Sequence, residues 1–168
     1  YEMDSLDGTP REVLDPNKLS DDGTVALQSV DFSKDGRYMA YTISRSGSDW
    51  NEIFVKDLST GELLPDHIVW AKFTNAQWQG DGFYYSAYDA PERELSSKNE
   101  YQKVYYHKLG TPQSQDELVF RSFEEPLMFH MAYVSEDERF VYMYQSGGDG
   151  NVLLVKDTKS ENPRFIRL

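Results

Sequence analysis

One strand pattern occurs three times in this chain and restricts its possible folds more than any other feature. The first copy runs Val30-Asp31-Phe32-Ser33, a turn at Asp35-Gly36, then Tyr38-Met39-Ala40-Tyr41. The second runs Ala76-Gln77-Trp78-Gln79, Asp81-Gly82, then Tyr84-Tyr85-Ser86. The third runs Ala132-Tyr133-Val134-Ser135, Asp137-Glu138, then Phe140-Val141-Tyr142-Met143. The turn aspartates are 46 and then 56 residues apart. Each hairpin is followed by two further short segments rich in β-branched and aromatic residues. The third segments are Glu52 to Leu58, Lys103 to Leu109 and Val152 to Thr158; the fourth are Glu62 to Leu64, Glu117 to Arg121 and Arg164 to Leu168. Repeating units of four short strands are the signature of propeller blades. Helical periodicity is absent over any useful length.

The first and third copies align in two registers. Ser33, Asp35 and Arg37 recur as Ser135, Asp137 and Arg139, an offset of 102. Ser46, Gly47, Asp49, Asn51, Val55, Lys56 and Asp57 recur as Ser146, Gly147, Asp149, Asn151, Val155, Lys156 and Asp157, an offset of 100. The change places a two-residue deletion between the second and third strands. The expected fold is all-β: a partial propeller of three four-stranded antiparallel blades plus one orphan strand. Arg11-Glu12-Val13-Leu14 reads as that orphan, the last strand of a preceding blade. The expected divisions are 1–28 for the orphan strand and linker, then 29–70, 71–124 and 125–168 for the blades. Blades cannot bury their faces alone, so the chain is expected to be part of something larger and, when isolated, to self-associate through exposed apolar faces.

Strand polarity separates two faces. Successive strands are antiparallel, so the tight Asp-Gly turns between first and second strands lie on one side. Glycine there supplies a positive φ. Glu138 replaces it in the third copy, at an expected cost of about 1 kcal/mol. The loops between second and third strands lie on the opposite side, where function is expected. These are Ser46-Gly47-Ser48-Asp49-Trp50, Ser146-Gly147-Gly148-Asp149-Gly150 and the longer polar segment from Asp89 to Tyr101. The connections on that side carry Phe73 and Phe129. Asp49 and Asp149 read either as turn residues, the stronger reading from spacing alone, or as attractors of a cationic ligand. Phe73 and Phe129 either line an apolar subsite or pack between blades. The Lys-Asp pairs at 56–57 and 156–157 read as solvated strand ends.

Composition narrows the function classes. A net charge of −12 argues against nucleic acid and against an anionic membrane surface. The chain has no Cys, so neither disulfides nor thiolate metal sites are available. His67, His107 and His130 are too scattered for a metal motif and read as ordinary strand or loop residues. Asp21-Asp22-Gly23 lacks the alternating carboxylates of a calcium loop. Neither a nucleophile elbow of the G-x-S-x-G type nor a Gly-rich phosphate loop is present. No metal and no cofactor are expected. A cytoplasmic location is expected, with a periplasmic or secreted one as the alternative.

Several segments occur in a specific order: Leu14-Asp15-Pro16-Asn17, Leu19 through Leu27, Phe32-Ser33 with Asp35-Gly36, Ser46 through Trp50, Leu64-Pro65-Asp66, Lys72-Phe73 with Trp78, and Tyr105 through Thr111. From about Leu14 to the C-terminus the chain resembles the prolyl oligopeptidase family. The resemblance implies a serine peptidase that cleaves short peptides after proline. In that family a seven-bladed propeller caps an α/β-hydrolase domain, which holds the catalytic Ser, Asp and His and has no counterpart in these residues. The propeller restricts access to the active site, and this chain alone should be inactive. By the same resemblance Asp49 matches an aspartate that influences substrate binding electrostatically. Phe73 matches a Phe of the third subsite on the acyl side, and Phe129 stands where the family often has Met in that subsite. Asp89–Tyr101 matches a mobile interdomain loop linked to substrate entry. An Arg expected in the third copy's loop is missing; Gln145 and Ser146 stand there, which leaves Asp49 without that charge partner. Two rival readings remain. One is a non-catalytic propeller that binds a basic protein partner; the other, weaker, is a propeller glycosidase with carboxylate catalysts.

Overall fold

Three antiparallel meanders of four strands follow one another along the chain. The computed structural model describes residues 1–91, 98–148 and 150–168. The first meander comprises β1 (Val25–Phe32), β2 (Tyr38–Arg45), β3 (Asn51–Asp57) and β4 (Leu63–Ala71). The second comprises β5 (Gln77–Gln79), β6 (Gly82–Ala87), β7 (Lys103–Lys108) and β8 (Glu117–Arg121). The third comprises β9 (Phe129–Val134), β10 (Phe140–Gly147), β11 (Gly150–Asp157) and β12 (Ile166–Arg167). A single pair, Ala71 with Ala87, joins the first two meanders edge to edge.

The meanders stack face to face, and the second strands explain how. Residues alternate between the two faces of a strand. In β6, Phe83, Tyr85 and Ala87 enter one core with Ala40, Ile53, Val55 and Ile68 of the first meander. Tyr84 faces the other way, into a core with Val104, Ala132, Val141 and Met143. β6 is thus buried along its whole length, which is why it reads as a continuous apolar run rather than an alternating one. β2 behaves alike: Ala40 faces the second meander, while Met39, Tyr41 and Ile43 face Val13, Leu14 and Leu19 of the N-terminal segment. Asp31 ties the stack at its β1 edge. Its carboxylate accepts from Asn75 Nδ2 (2.9 Å), and its carbonyl accepts from Trp78 Nε1 (3.0 Å).

The repeat has a structural meaning. Ser44 pairs with Asn51 in the first meander, and Ser146 pairs with Asn151 in the third. The offset of 102 therefore holds to the end of the second strand, and the two missing residues come out of the loop itself. Ser146 corresponds to Ser44 rather than to Ser46. Ser46 lies in the loop with φ 50°, whereas Ser146 is paired with Phe129. The recurring Ser, Asp and Arg build the turn. Ser33 Oγ donates to Asp35 and accepts from the Tyr38 N–H, and Arg37 reaches Asp57 at 2.9 Å. Ser135, Asp137, Phe140, Arg139 and Asp157 repeat these bonds.

Some expectations are corrected. Asp57 is a buried carboxylate rather than a solvated strand end. Hydrogen bonds from Arg37 and Ser59 pull it down to about 2. Lys56 donates to the Val13 carbonyl (2.6 Å) and Lys156 lies over the Tyr84 and Phe165 rings. Residues 11–14 form no strand; Arg11 makes one isolated antiparallel bridge with Glu2. β1 starts at Val25 and crosses a bulge between Leu27 and Ser29, so the first strand is longer than its pattern implied. In the second turn the positive φ falls on Gly80, at 58°, and not on Gly82. Gly82 is required for another reason: a Cβ there would lie 2.0 Å from the His107 carbonyl oxygen.

Glu138 takes the left-handed conformation expected of it, with φ 58° beside 71° for Gly36 in the matching turn. Glu138→Gly is therefore expected to stabilise the chain by about 1 kcal/mol, read as a higher denaturation midpoint. An unchanged or lower midpoint would show that the turn carries no such strain.

Two of the segments that carry the resemblance, Leu64-Pro65-Asp66 and Tyr105 through Thr111, meet where the first and second meanders stack. His107, on β7, is fully buried between Asp66 of β4 and Asp116 of the β7–β8 loop. Its Nε2 is 2.9 Å from Asp66 Oδ1 and its Nδ1 2.7 Å from Asp116 Oδ1. A carboxylate facing each ring nitrogen favours the ring protonated on both. Burial opposes the charge, but the bonds to Asp116 and Asp66 outweigh it and the ring's pKa is raised. Asp66 Oδ1 also accepts from the Gly110 N–H (2.6 Å), and Asp116 Oδ2 accepts from Tyr85 (2.8 Å). His67 pairs with Glu52 instead, and His130 is buried elsewhere.

Candidate substrate-facing site

The site is built from three connections at one end of the meanders. The β2–β3 loop turns tightly through Ser46 and Gly47, both at positive φ. Ser48 Oγ accepts from the Trp50 N–H (3.1 Å). The result is that Trp50 is buried while the Asp49 side chain is 73% exposed.

The β4–β5 connection is set by a bulge. Between Asn51 and Ile53 of β3, β4 inserts an extra residue, and Trp70 takes φ 59°. The bulged backbone is not left unpaired. The Gln113 amide accepts from the Val69 N–H (3.0 Å) and donates to the Val69 carbonyl (2.9 Å). Beyond the bulge Lys72 turns inward and Phe73 outward, the latter at φ 54°. A non-glycine residue held there costs about 1–3 kcal/mol and must be held by its surroundings.

The third connection leads into β9, whose first residue is Phe129. The Phe73 and Phe129 rings meet edge to face with centroids 5.1 Å apart. Phe73 remains 47% exposed, so the pair presents an aromatic wall to solvent rather than filling a core. Lys72 joins this wall to Asp49. Its Nζ lies 3.5 Å from Asp49 Oδ2, 5.0 Å from the Trp50 ring centroid and 5.4 Å from that of Phe73. The buried ammonium is thus held by one carboxylate and two ring faces.

All three site residues expected from the sequence, Asp49, Phe73 and Phe129, are brought together. Asp149 and residues 92–97 of the Asp89–Tyr101 segment lie outside the described residues. Sequence reasoning missed Lys72 as the charge partner of Asp49. The cation beside Asp49 is Lys72, while Gln145 and Ser146 pair with His130 and Phe129 in the β10–β9 ladder. The only signal was its adjacency to Phe73. It also missed Gln102, Ser86 and Gln113, which carry no motif. Among the described residues no group of three or more His, Asp or Glu side chains could hold a metal ion.

Comparisons with known proteins identify the family of the fold. Residues 1–168 match the family described as prolyl oligopeptidase, N-terminal beta-propeller domain. The chain is 43% identical over 165 residues to a prolyl endopeptidase of Elizabethkingia meningoseptica, covering 96% of this chain and 23% of that protein. It is 33% identical to the dual function macrocyclase-peptidase POPB of Galerina marginata, over 91% of this chain and 22% of that protein. A solved structure from a study of two prolyl endopeptidases and their inter-domain dynamics superimposes with TM-score 0.83 at 34% identity, covering 94% of this chain and 22% of that one. Prolyl oligopeptidase B of Galerina marginata, bound to a 35mer hydrolysis and macrocyclization substrate, gives 0.81 at 30% identity, over 91% and 24%. The chain spans less than a quarter of the length of these relatives. The match over its whole length and these identities place the chain in the prolyl oligopeptidase family, as part of that family's N-terminal β-propeller domain.

Proposed function

We propose that this chain is the substrate-admitting part of a serine peptidase that cleaves short peptides after proline. Hydrolysis itself belongs to an α/β-hydrolase domain outside these residues. The observation that carries the reading is the convergence of Asp49, Phe73 and Phe129, from three separate connections, on one exposed patch. The two rings form the wall of a subsite for an apolar substrate side chain. Asp49 sets the local field: its carboxylate faces solvent and the balancing ammonium of Lys72 is buried behind it. A peptide approaching the patch meets the negative end of that pair. Among the described residues the patch places one carboxylate, Asp49, beside the rings, and not the carboxylate pair that sugar hydrolysis needs.

The test is to express the full-length protein and this chain alone and offer each a chromogenic peptide with proline before the scissile bond. Turnover by the full-length protein and none by this chain is the expected result. Turnover by the chain alone, or none by the full-length protein, would sink the proposal.

Charge at the patch gives a second expected outcome. Asp49→Asn should lower kcat/KM for peptides carrying a Lys near the proline by about two- to fivefold at low ionic strength. The loss should shrink in 1 M salt, where the screening length is only about 3 Å. Peptides without a basic residue should change less. Equal losses for basic and neutral peptides would remove the electrostatic role of Asp49.

A further inference from the structure

Gln102 joins the two halves of the aromatic wall. It is completely buried and stands just before β7. Its Nε2 donates to the Lys72 carbonyl (2.9 Å), and its Oε1 accepts from the His130 N–H (2.7 Å). Lys72 immediately precedes Phe73, and His130 immediately follows Phe129. One planar amide therefore spans the two connections that present the rings. Ser86 adds a second rung. Its Oγ donates to the His130 carbonyl (2.6 Å), and its own carbonyl accepts from the Lys72 N–H at 3.4 Å.

The bond from Gln102 is the stronger constraint on Lys72, because the contact to Ser86 is at the limit of hydrogen-bonding distance. It is also the constraint Phe73 requires. A residue at φ 54° stays there only if the backbone on either side is held. On the other side, neither ring nitrogen of His130 has a hydrogen-bond partner among the described residues, and the ring packs on Phe120 with centroids 5.1 Å apart. The position of His130, and with it Phe129, depends on its backbone bonds.

We propose that Gln102 is a positioning residue for the apolar subsite. It sets the spacing of Phe73 and Phe129 and thereby the size of substrate side chain the subsite accepts. This rests on the subsite reading above. Without the amide, the Lys72 carbonyl and the His130 N–H lose their partner in a dry interior, and the Lys72–Phe73 backbone is free to leave the left-handed conformation.

The test uses the full-length protein and Gln102→Met, which keeps the side chain's length and removes both hydrogen bonds. Two prolyl peptides are compared, with Phe or Gly as the third residue on the acyl side. KM for the Phe peptide is expected to rise about tenfold, while KM for the Gly peptide and both kcat values stay within about twofold. Equal KM changes for the two peptides, or no change for either, would overturn the proposal, since a general loss of structure does not discriminate between them. In parallel, 4-fluorophenylalanine is placed at Phe73 and its fluorine resonance is compared with and without the substitution. A shifted resonance is expected as the ring leaves its edge-to-face partner; an unmoved one overturns the coupling. If wild type cleaves neither peptide, the subsite reading fails and the fluorine spectrum alone decides the coupling. Should Gln102→Met not fold, Gln102→Glu at pH 9 keeps the acceptor for His130 and loses the donor to Lys72. It should move a label at Phe73 and leave one at Phe129 in place; the reverse pattern overturns the assignment.

Discussion

His107→Leu is expected to lower the melting temperature by roughly 6–20 °C at neutral pH. The imidazolium lies between two buried carboxylates, and removing it leaves both without the cation they face. Breaking a buried charge pair from one side costs about 3–5 kcal/mol. Tyr85 and the Gly110 N–H still donate to the carboxylates but carry no charge to offset theirs. A drop below about 2 °C would show that the network contributes little.

The same site gives a pH dependence with a defined sign. The folded chain raises the pKa of His107, so it holds this proton more tightly than the unfolded chain does. The contribution is complete below the unfolded value of about 6.5 and declines as the pH rises through the raised native value. The groups facing the ring are Asp66 from β4 and Asp116, with Tyr85 of β6 behind Asp116. Burial and the neighbouring Asp116 push the Tyr85 phenol upward, so it stays neutral across this window. Melting curves between pH 6 and 9 should show wild type losing stability towards the alkaline end and His107→Leu losing less. A gap independent of pH would mean that packing of the ring, not its charge, is what His107 supplies.

Phe73→Ala is expected to lower kcat/KM about thirtyfold for prolyl peptides with a large apolar third residue on the acyl side. The figure corresponds to about 2 kcal/mol for one face of an apolar side chain plus its edge-to-face partner. Peptides with Gly at that position should be nearly unaffected. Because Phe73 is half exposed and packs mainly on Phe129, the melting temperature should hardly move. Equal losses for both peptides would mean that Phe73 supports the connection rather than contacting substrate. Phe129→Leu should have the smaller effect, since an aliphatic side chain still closes that side of the wall.

Much of the fold was legible because it is written in local, repeated chemistry. The Asp-Gly turns, the Ser-x-Asp-x-Arg segments and the alternating apolar positions act within a few residues of one another, so spacing alone located most strands. The left-handed Glu138 followed from the same logic, by comparison with Gly36. The failures share a different cause. Asp57 looked like a solvated strand end because Arg37, which binds it, stands twenty residues away. Gly82 looked like a turn glycine because nothing local shows the His107 carbonyl that would meet a Cβ there. Residues 11–14 look like a strand by composition, but Val13 and Leu14 pack on the face of the first meander.

The candidate site divides in the same way. Strand polarity placed Asp49, Phe73 and Phe129 on one side, and that inference needed only the order and direction of strands. It could not show that the two rings touch, that Lys72 rather than an Arg answers Asp49, or that Gln102 and Ser86 tie the connections together. The sequence by itself determined the repeating unit, the unequal ends of the meanders and the residue types offered at each end. Only the tertiary structure decided which of them meet. Hydrophobic alternation and turn preference act over two to five residues, whereas the bonds from Asp66 to His107 and from Gln102 to Lys72 close loops of 41 and 30 residues. No local propensity encodes such pairs; they exist because face-to-face stacking of the sheets brings the connections together and excludes the water that would otherwise satisfy them.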